Sequence, residues 1–282
     1  MKILVSGCSY TQHKSWPSQL LSPKKVDVKN VGAAGFGNNY ISNSITANLD
    51  YNPDFVFVLW SGINRMELRV PNTKLFSDRK ILGSGLIQDL ENSVFYASAG
   101  RGALLDRHLL SAYNDIKAPD WPKIKNINDW FELPEWIRQE CVQKEIHLSV
   151  SSANDNVRAF VQNYFLVQYL NFDVEYLSEL TFQNMANCFN FLERLRIPYR
   201  FSFIYDIFSK NTFFSLGACK KEKYFNHIDW SKYIDLTPYE YGIRHDLLGQ
   251  DDYHLTDQGL NQWALEINDR LKQDKSLANL FA

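Results

Sequence analysis

The chain has no paired cysteines, no long apolar run and no block of like charge. Its four cysteines, Cys8, Cys141, Cys188 and Cys219, lie far apart. They supply neither a zinc-ligand spacing nor a disulfide framework, which fits a reducing, cytoplasmic setting. No segment approaches the roughly 18 apolar residues of a membrane span, so no membrane partner is expected. The opening MKILVSGCSY has one lysine and a very short apolar stretch, and reads as folded structure rather than a secretory leader. The 30 Lys and Arg are balanced by 32 Asp and Glu, and no basic run breaks that balance. The charge footprint of a phosphate backbone is missing, which excludes nucleic acid as an expected partner.

What is present is ordinary in bulk and unusual in aromatics. Apolar residues make up 45% and charged residues 22% of 282, the balance of a soluble globular chain long enough to fold without staples. The aromatic share is 15%, read first as a thick core, with an aromatic-lined cleft as the alternative.

The elements alternate at the start. Residues 2–6, KILVS, form a short apolar strand ending at Gly7. SWPSQLL, residues 15–21, is a helix start, with Ser15 as cap, Pro17 in the first turn, and Leu20 and Leu21 facing inward. VDVKNV, residues 26–31, is a second strand; GAAGFGNN, residues 32–39, is a glycine-rich turn into the helical YISNSITANL. PDFVFVLWSG, residues 53–62, is continuously apolar and so a strand covered on both faces. This grammar predicts an α/β fold with a parallel sheet. Residues 66–152 read as an irregular, partly helical insertion with Trp121, Trp130 and Trp136, within a single domain over 1–282. Helical patterns follow at 155–171 and at 174–195. The second carries Leu177, Leu180, Phe182, Met185, Cys188, Phe191, Leu192 and Leu195 on its apolar side. Residues 199–206 read as a strand and 207–250 as irregular. A last helix begins at Thr256 and Asp257, with Leu260, Trp263, Ala264, Ile267 and Leu271 inward.

Four segments carry chemistry. Gly7-Cys8-Ser9 follows the first strand, where a turn can present a hydroxyl among backbone N–H groups. The second glycine of a G-x-S-x-G elbow is absent. Asn30-Val31-Gly32-Ala33-Ala34-Gly35 lets backbone approach a bound group closely, or simply makes a turn. Its glycine order is wrong for dinucleotide binding. Ser61-Gly62-Ile63-Asn64 follows the clearest strand, and an Asn amide there can donate to a developing oxyanion or end the strand as a turn. Asp251-Asp252-Tyr253-His254 precedes the last helix, and an Asp three residues before a His can orient its ring.

In order and spacing these blocks together resemble the SGNH hydrolases, the GDSL-type esterase family. The matching residues are Gly7 and Ser9, Asn30 with Gly35, Gly62 with Asn64, and Asp251 with His254; the likeness covers roughly 1–65 and 245–272. It implies a flavodoxin-like three-layer α/β/α sandwich, and catalysis without metal or cofactor. Ser9 would be the nucleophile, His254 the base and Asp251 its partner. The Ser9 and Gly35 N–H groups and the Asn64 side chain would form the oxyanion hole. Cys8 stands where the family has the Asp of G-D-S, and Arg65 where it has the Asp of G-x-N-D. Cys8 reads as a small buried residue, with a thiol nucleophile as the alternative. Arg65 reads either as a site for an anionic substrate group or as a partner of Glu67.

The implied activity is cleavage of an ester, such as an O-acetyl group on a carbohydrate or another small ester, through an acyl-enzyme. The alternatives are an acyltransferase using the same Ser-His-Asp site and a non-catalytic binding domain that kept the fold. The 66–152 insertion is the candidate lid or specificity wall, or a plain structural elaboration.

Overall fold

Unbroken apolar runs give strands that need cover on both faces. β1 (Lys2–Gly7) and β3 (Phe55–Trp60) are such strands, and every residue of β3 is fully buried. The computed structural model describes residues 1–12, 15–21, 24–33, 36–63, 65–71, 86–89, 94–99, 132–140, 174–208, 224–249 and 254–281, with backbone alone at 66–71, 86–89, 94–99, 174 and 175. β2 (Asp27–Asn30) and a late strand, β7 (Tyr199–Phe203), complete a four-stranded sheet in the order β2-β1-β3-β7. All three pairings are parallel: Val5 lies opposite Phe57 and Asn30, and Trp60 opposite Phe203.

Side chains alternate across a strand, so β3 sorts its cover by parity. Phe57 meets Trp16, from a 3₁₀ turn at Trp16–Gln19, and Trp263, both edge-on. Trp263 belongs to α4 (Asp257–Gln273), whose Leu260, Ala264, Ile267 and Leu271 are buried beside it. Trp60, of opposite parity, meets Phe189 of α2 (Val174–Arg194). The Phe189 ring stacks on Tyr199 and lies tilted against Phe201, both of β7. α1 (Asn38–Thr46) joins that side, with Ser44 Oγ 2.6 Å from Ser6 Oγ of β1. Helices therefore cover both faces of the parallel sheet, and the described residues form an α/β fold. The aromatic excess sits largely in this core.

The structure differs from the sequence expectation in several places. Three strands, β4 (Met66–Pro71), β5 (Leu86–Asp89) and β6 (Val94–Ala99), form a separate antiparallel sheet in the order β4-β6-β5, where the sequence reads as irregular. The alternation of Met66, Leu68 and Val70 with polar residues is the signal for it. α3 (Pro238–His245) also lies in a stretch read as irregular; Thr237-Pro238-Tyr239-Glu240 is its start signal. Phe191 of α2 and Leu195 just after it are half exposed, and Phe189 is buried instead. Residues 182, 185, 189 and 192 share the inner stripe at helical spacing, and 191 and 195 fall outside it. Ser15 makes no cap hydrogen bond to its own turn, and its Oγ donates to Asn261 Oδ1 at 3.3 Å. α5 (Ala278–Phe281) closes the chain. The helix expected at 155–171, and Trp121 and Trp130, lie outside the described residues. Trp136 is 57% exposed. Among the described residues, no helix is long and apolar enough to cross a membrane.

Candidate functional site

The strand order sets where a ligand can sit. The chain leaves β1 for β2 on one side, then returns past β1 to β3 on the other. The crevice outside the carboxyl ends of β1 and β3 is therefore the topological switch point, the usual ligand site of an open parallel sheet. Ser9 follows β1 there, and residues 61–65 follow β3.

The turn that carries Ser9 is held from below. Thr11 and Gln12 N–H both donate to Cys8 O, at 2.8 and 3.1 Å, so the chain curls into one helical turn around Ser9. Asn30 fastens this turn to the next strand: its Nδ2 donates to Thr11 O at 2.7 Å, and its Oδ1 accepts from Gly32 N at 3.0 Å. Ala33 N donates to Gly7 O at 2.9 Å, joining the two loops through their backbones. Gly7 and Gly32 both abut the buried side chain of Thr11, and a Cβ on either would overlap it. Close approach explains these two glycines. Cys8 is fully buried, its Sγ 4.0 Å from Ser9 Oγ.

His254 arrives from the other end of the chain on a short hairpin. Leu248 and Leu255 form an antiparallel bridge, Gly249 N donates to His254 O at 2.7 Å, and Thr256 N to Leu247 O at 2.9 Å. Thr256 then caps α4, its Oγ1 accepting from Gly259 N at 3.1 Å. The imidazole is thus anchored within two residues of a rigid helix start. Its Nε2 lies 2.6 Å from Ser9 Oγ, across 245 residues of sequence. The ring of Tyr10, 5% exposed, lies against it with centroids 4.6 Å apart. Ser9 and His254 are both part-buried. With the ring proton on Nδ1, Nε2 accepts from the hydroxyl, the arrangement of a serine beside its general base.

No family model, curated protein or solved structure matches this chain.

The remaining expected residues divide in two. Gly35, Asn64 and Asp251 lie outside the described residues. Arg65 is described: it is 7% exposed, and its Nη1 donates to Phe36 O at 3.0 Å. Asn38, at the start of α1, went unremarked in the sequence. It is 4% exposed and reaches under the loop after β3, its Oδ1 accepting from Ser61 N at 2.8 Å and its Nδ2 donating to Ser61 O at 3.2 Å. A second asparagine at a helix start, in GFGNN, is a faint signal for such a bond, because Asn favours helix ends in any case.

One carboxylate at the same end of the sheet has a displaced pKa. Glu240, in the first turn of α3, accepts from Asp206 N at 3.0 Å, just past β7, and from Thr237 Oγ1. Burial, with Asp206 and Asp235 nearby, pushes it up to about 7 against the pull of its backbone hydrogen bonds.

Proposed function

We infer that the protein is a serine hydrolase of the SGNH type, cleaving a small ester such as an O-acetyl group on a carbohydrate. One observation carries this reading: a serine at the sheet's switch point is 2.6 Å from the Nε2 of a histidine that only folding brings there. Ser9 Oγ attacks the ester carbonyl as His254 takes its proton. The tetrahedral oxyanion rests on the Ser9 and Gly35 N–H groups and the Asn64 amide. It collapses with the C–O bond breaking, and His254 returns the proton to the departing alcohol. Water, deprotonated by His254, then attacks the acyl-enzyme and frees Ser9. Asp251 orients the imidazole. In this reading helices on both faces of the parallel sheet make the flavodoxin-like three-layer sandwich, with 66–152 inserted after the third strand.

The test is labelling with a fluorophosphonate probe, followed by turnover of p-nitrophenyl acetate and a panel of acetylated sugars. The expected result is covalent modification at Ser9 and ester turnover that Ser9→Ala removes. A Ser9→Ala protein with full turnover, or a folded wild type that neither labels nor turns over any ester, would overturn it. Asn64→Ala is expected to slow turnover by about two to three orders of magnitude, the usual effect of losing one oxyanion donor.

A further inference from the structure

Two buried side chains link the start of α1, with the loop before it, to the loop after β3, one from each side. Asn38 reaches from the first residue of α1 to the loop after β3. Besides its two bonds to Ser61, its Nδ2 lies 3.5 Å from Gly62 O and 3.2 Å from Thr181 Oγ1 of α2. Arg65 reaches from the loop after β3 back to the loop before α1, donating from Nη1 to Phe36 O at 3.0 Å. The loop after β3 is therefore held by a side chain from the start of α1, and the loop before α1 by a side chain from the loop after β3. In sequence the anchored residues sit directly beside the two expected oxyanion donors: Phe36 follows Gly35, and Arg65 follows Asn64.

The brace is a costly one. Arg65 is more than nine-tenths buried, its acceptor Phe36 O is a neutral carbonyl, and its Nε has no hydrogen-bond partner among the described residues. A buried cation with no carboxylate beside it among the described residues loses hydration and regains little from them, and an apolar side chain of the same shape would fill the space at lower cost. Stability alone does not account for Arg65. A fixed spacing between two loops does, because the planar guanidinium and the Asn amide each have few ways to satisfy their donors.

We propose that Asn38 and Arg65 are positioning residues that act as one reciprocal brace, setting the separation of the loops that present Gly35 and Asn64 to the oxyanion. The proposal rests on the hydrolase reading. An oxyanion hole works through donors already aimed at the place where charge develops, so displacing one wall penalises the transition state and leaves ester binding nearly untouched.

The experiment compares Arg65→Met, Arg65→Lys, Asn38→Ala and Asn38→Ser with wild type, on an ester that wild type turns over. Melting temperatures are recorded alongside. Arg65→Met and Asn38→Ala are expected to lower kcat by about 10- to 100-fold with KM within about threefold, and to slow fluorophosphonate labelling of Ser9 in parallel. Arg65→Lys, which keeps a cationic donor for Phe36 O, should recover part of kcat. The double variant Asn38→Ala/Arg65→Met should be little worse than the poorer single variant, since each breaks the same link. If the larger truncations do not fold, Arg65→Lys and Asn38→Ser carry the test, each with a kcat loss of several-fold at unchanged KM. Folded variants with wild-type kcat overturn the brace and leave the hydrolase reading standing, as does a rise in KM alone, which would make Arg65 a substrate contact. A wild type without ester turnover or Ser9 labelling overturns both.

Discussion

Arg65 and Arg200 are almost equally buried, at 7% and 6% exposed, and are satisfied in opposite ways. Arg200, on β7, spends its whole fork locally. Nε donates to Asp274 Oδ2 at 2.8 Å, Nη2 to the same oxygen and to Ser276 Oγ at 2.5 Å, and Nη1 to Tyr199 O at 2.6 Å. Charge, hydrogen bonds and geometry close on one another, tying the end of α4 to the sheet. Arg65, at the carboxyl ends of β1 and β3, meets a carbonyl and leaves Nε without a partner among the described residues. A guanidinium neutralised by a carboxylate is a fastening. One that meets only a neutral carbonyl among the described residues is held by geometry without a neutralising partner there.

The sharpest way to break this contrast is at the site itself. Ser9→Ala is expected to lower kcat by about five to six orders of magnitude while the melting temperature holds, checked by ester turnover and calorimetry. A large loss of stability on that change would mean that Ser9 and His254 are fastened as Arg200 is.

The opposite signature is expected at the other arginine. Asp274→Ala strands a buried guanidinium and removes the cap on Ser276 N, and is expected to cost about 3–5 kcal/mol in denaturant unfolding. Ser9 labelling of the folded fraction should be unchanged. Arg200→Met should cost less, because the Asp274 side chain is 27% exposed and can rehydrate. The pair also has a pH signature. Burial would raise the Asp274 pKa, but hydrogen bonds from Ser276 and Arg200 outweigh it and hold the carboxyl below its ordinary value. A depressed folded pKa means that the stabilisation is complete above the unfolded value near pH ~4 and is lost as pH falls through the folded one.

Glu240 sharpens the contrast with the reverse sign. Its folded pKa of about 7 lies above the unfolded value, so the fold binds more protons than the unfolded chain between the two. Stability should therefore fall as pH rises from ~4 to ~7 and level off above, by on the order of 2 kcal/mol. Glu240→Gln should flatten that slope in urea unfolding followed against pH. The smallest effect is expected where the two kinds of region meet. Thr256→Ala removes the cap of α4 two residues after His254, at a cost of about 1 kcal/mol in stability. A kcat change beyond a few-fold in that variant would show that the cap also aims the imidazole.

Much of the α/β core was legible. β1, β3 and α4 announce themselves because each buries a complete face, and complete burial writes an unbroken run or a clean helical stripe. The antiparallel strands and α3 did not. Short elements with one polar face resemble loops, and Pro238 and Gly242 within α3 lower its apparent helicity. At the site, the order of the blocks pointed to Ser9 and His254, while nothing in the sequence marked Arg65 as buried. Its sequence position exposes a charge beside a turn, and only packing buries it. Asn38 was invisible for the same reason, since a polar residue at a helix start is ordinary until its side chain is found inside.

The amino-acid sequence by itself determined which strands are central, which helix faces turn inward, and that a serine follows the first strand and a histidine precedes the last helix. These are local or periodic properties, carried by neighbours in the chain. Tertiary structure decided that Oγ and Nε2 stand 2.6 Å apart, and that Asn38 and Arg65 link the start of α1 and the loop before it to the loop after β3. Such contacts depend on the strand order and on what each loop finds opposite it. No pattern along the chain records a partner 245 residues away.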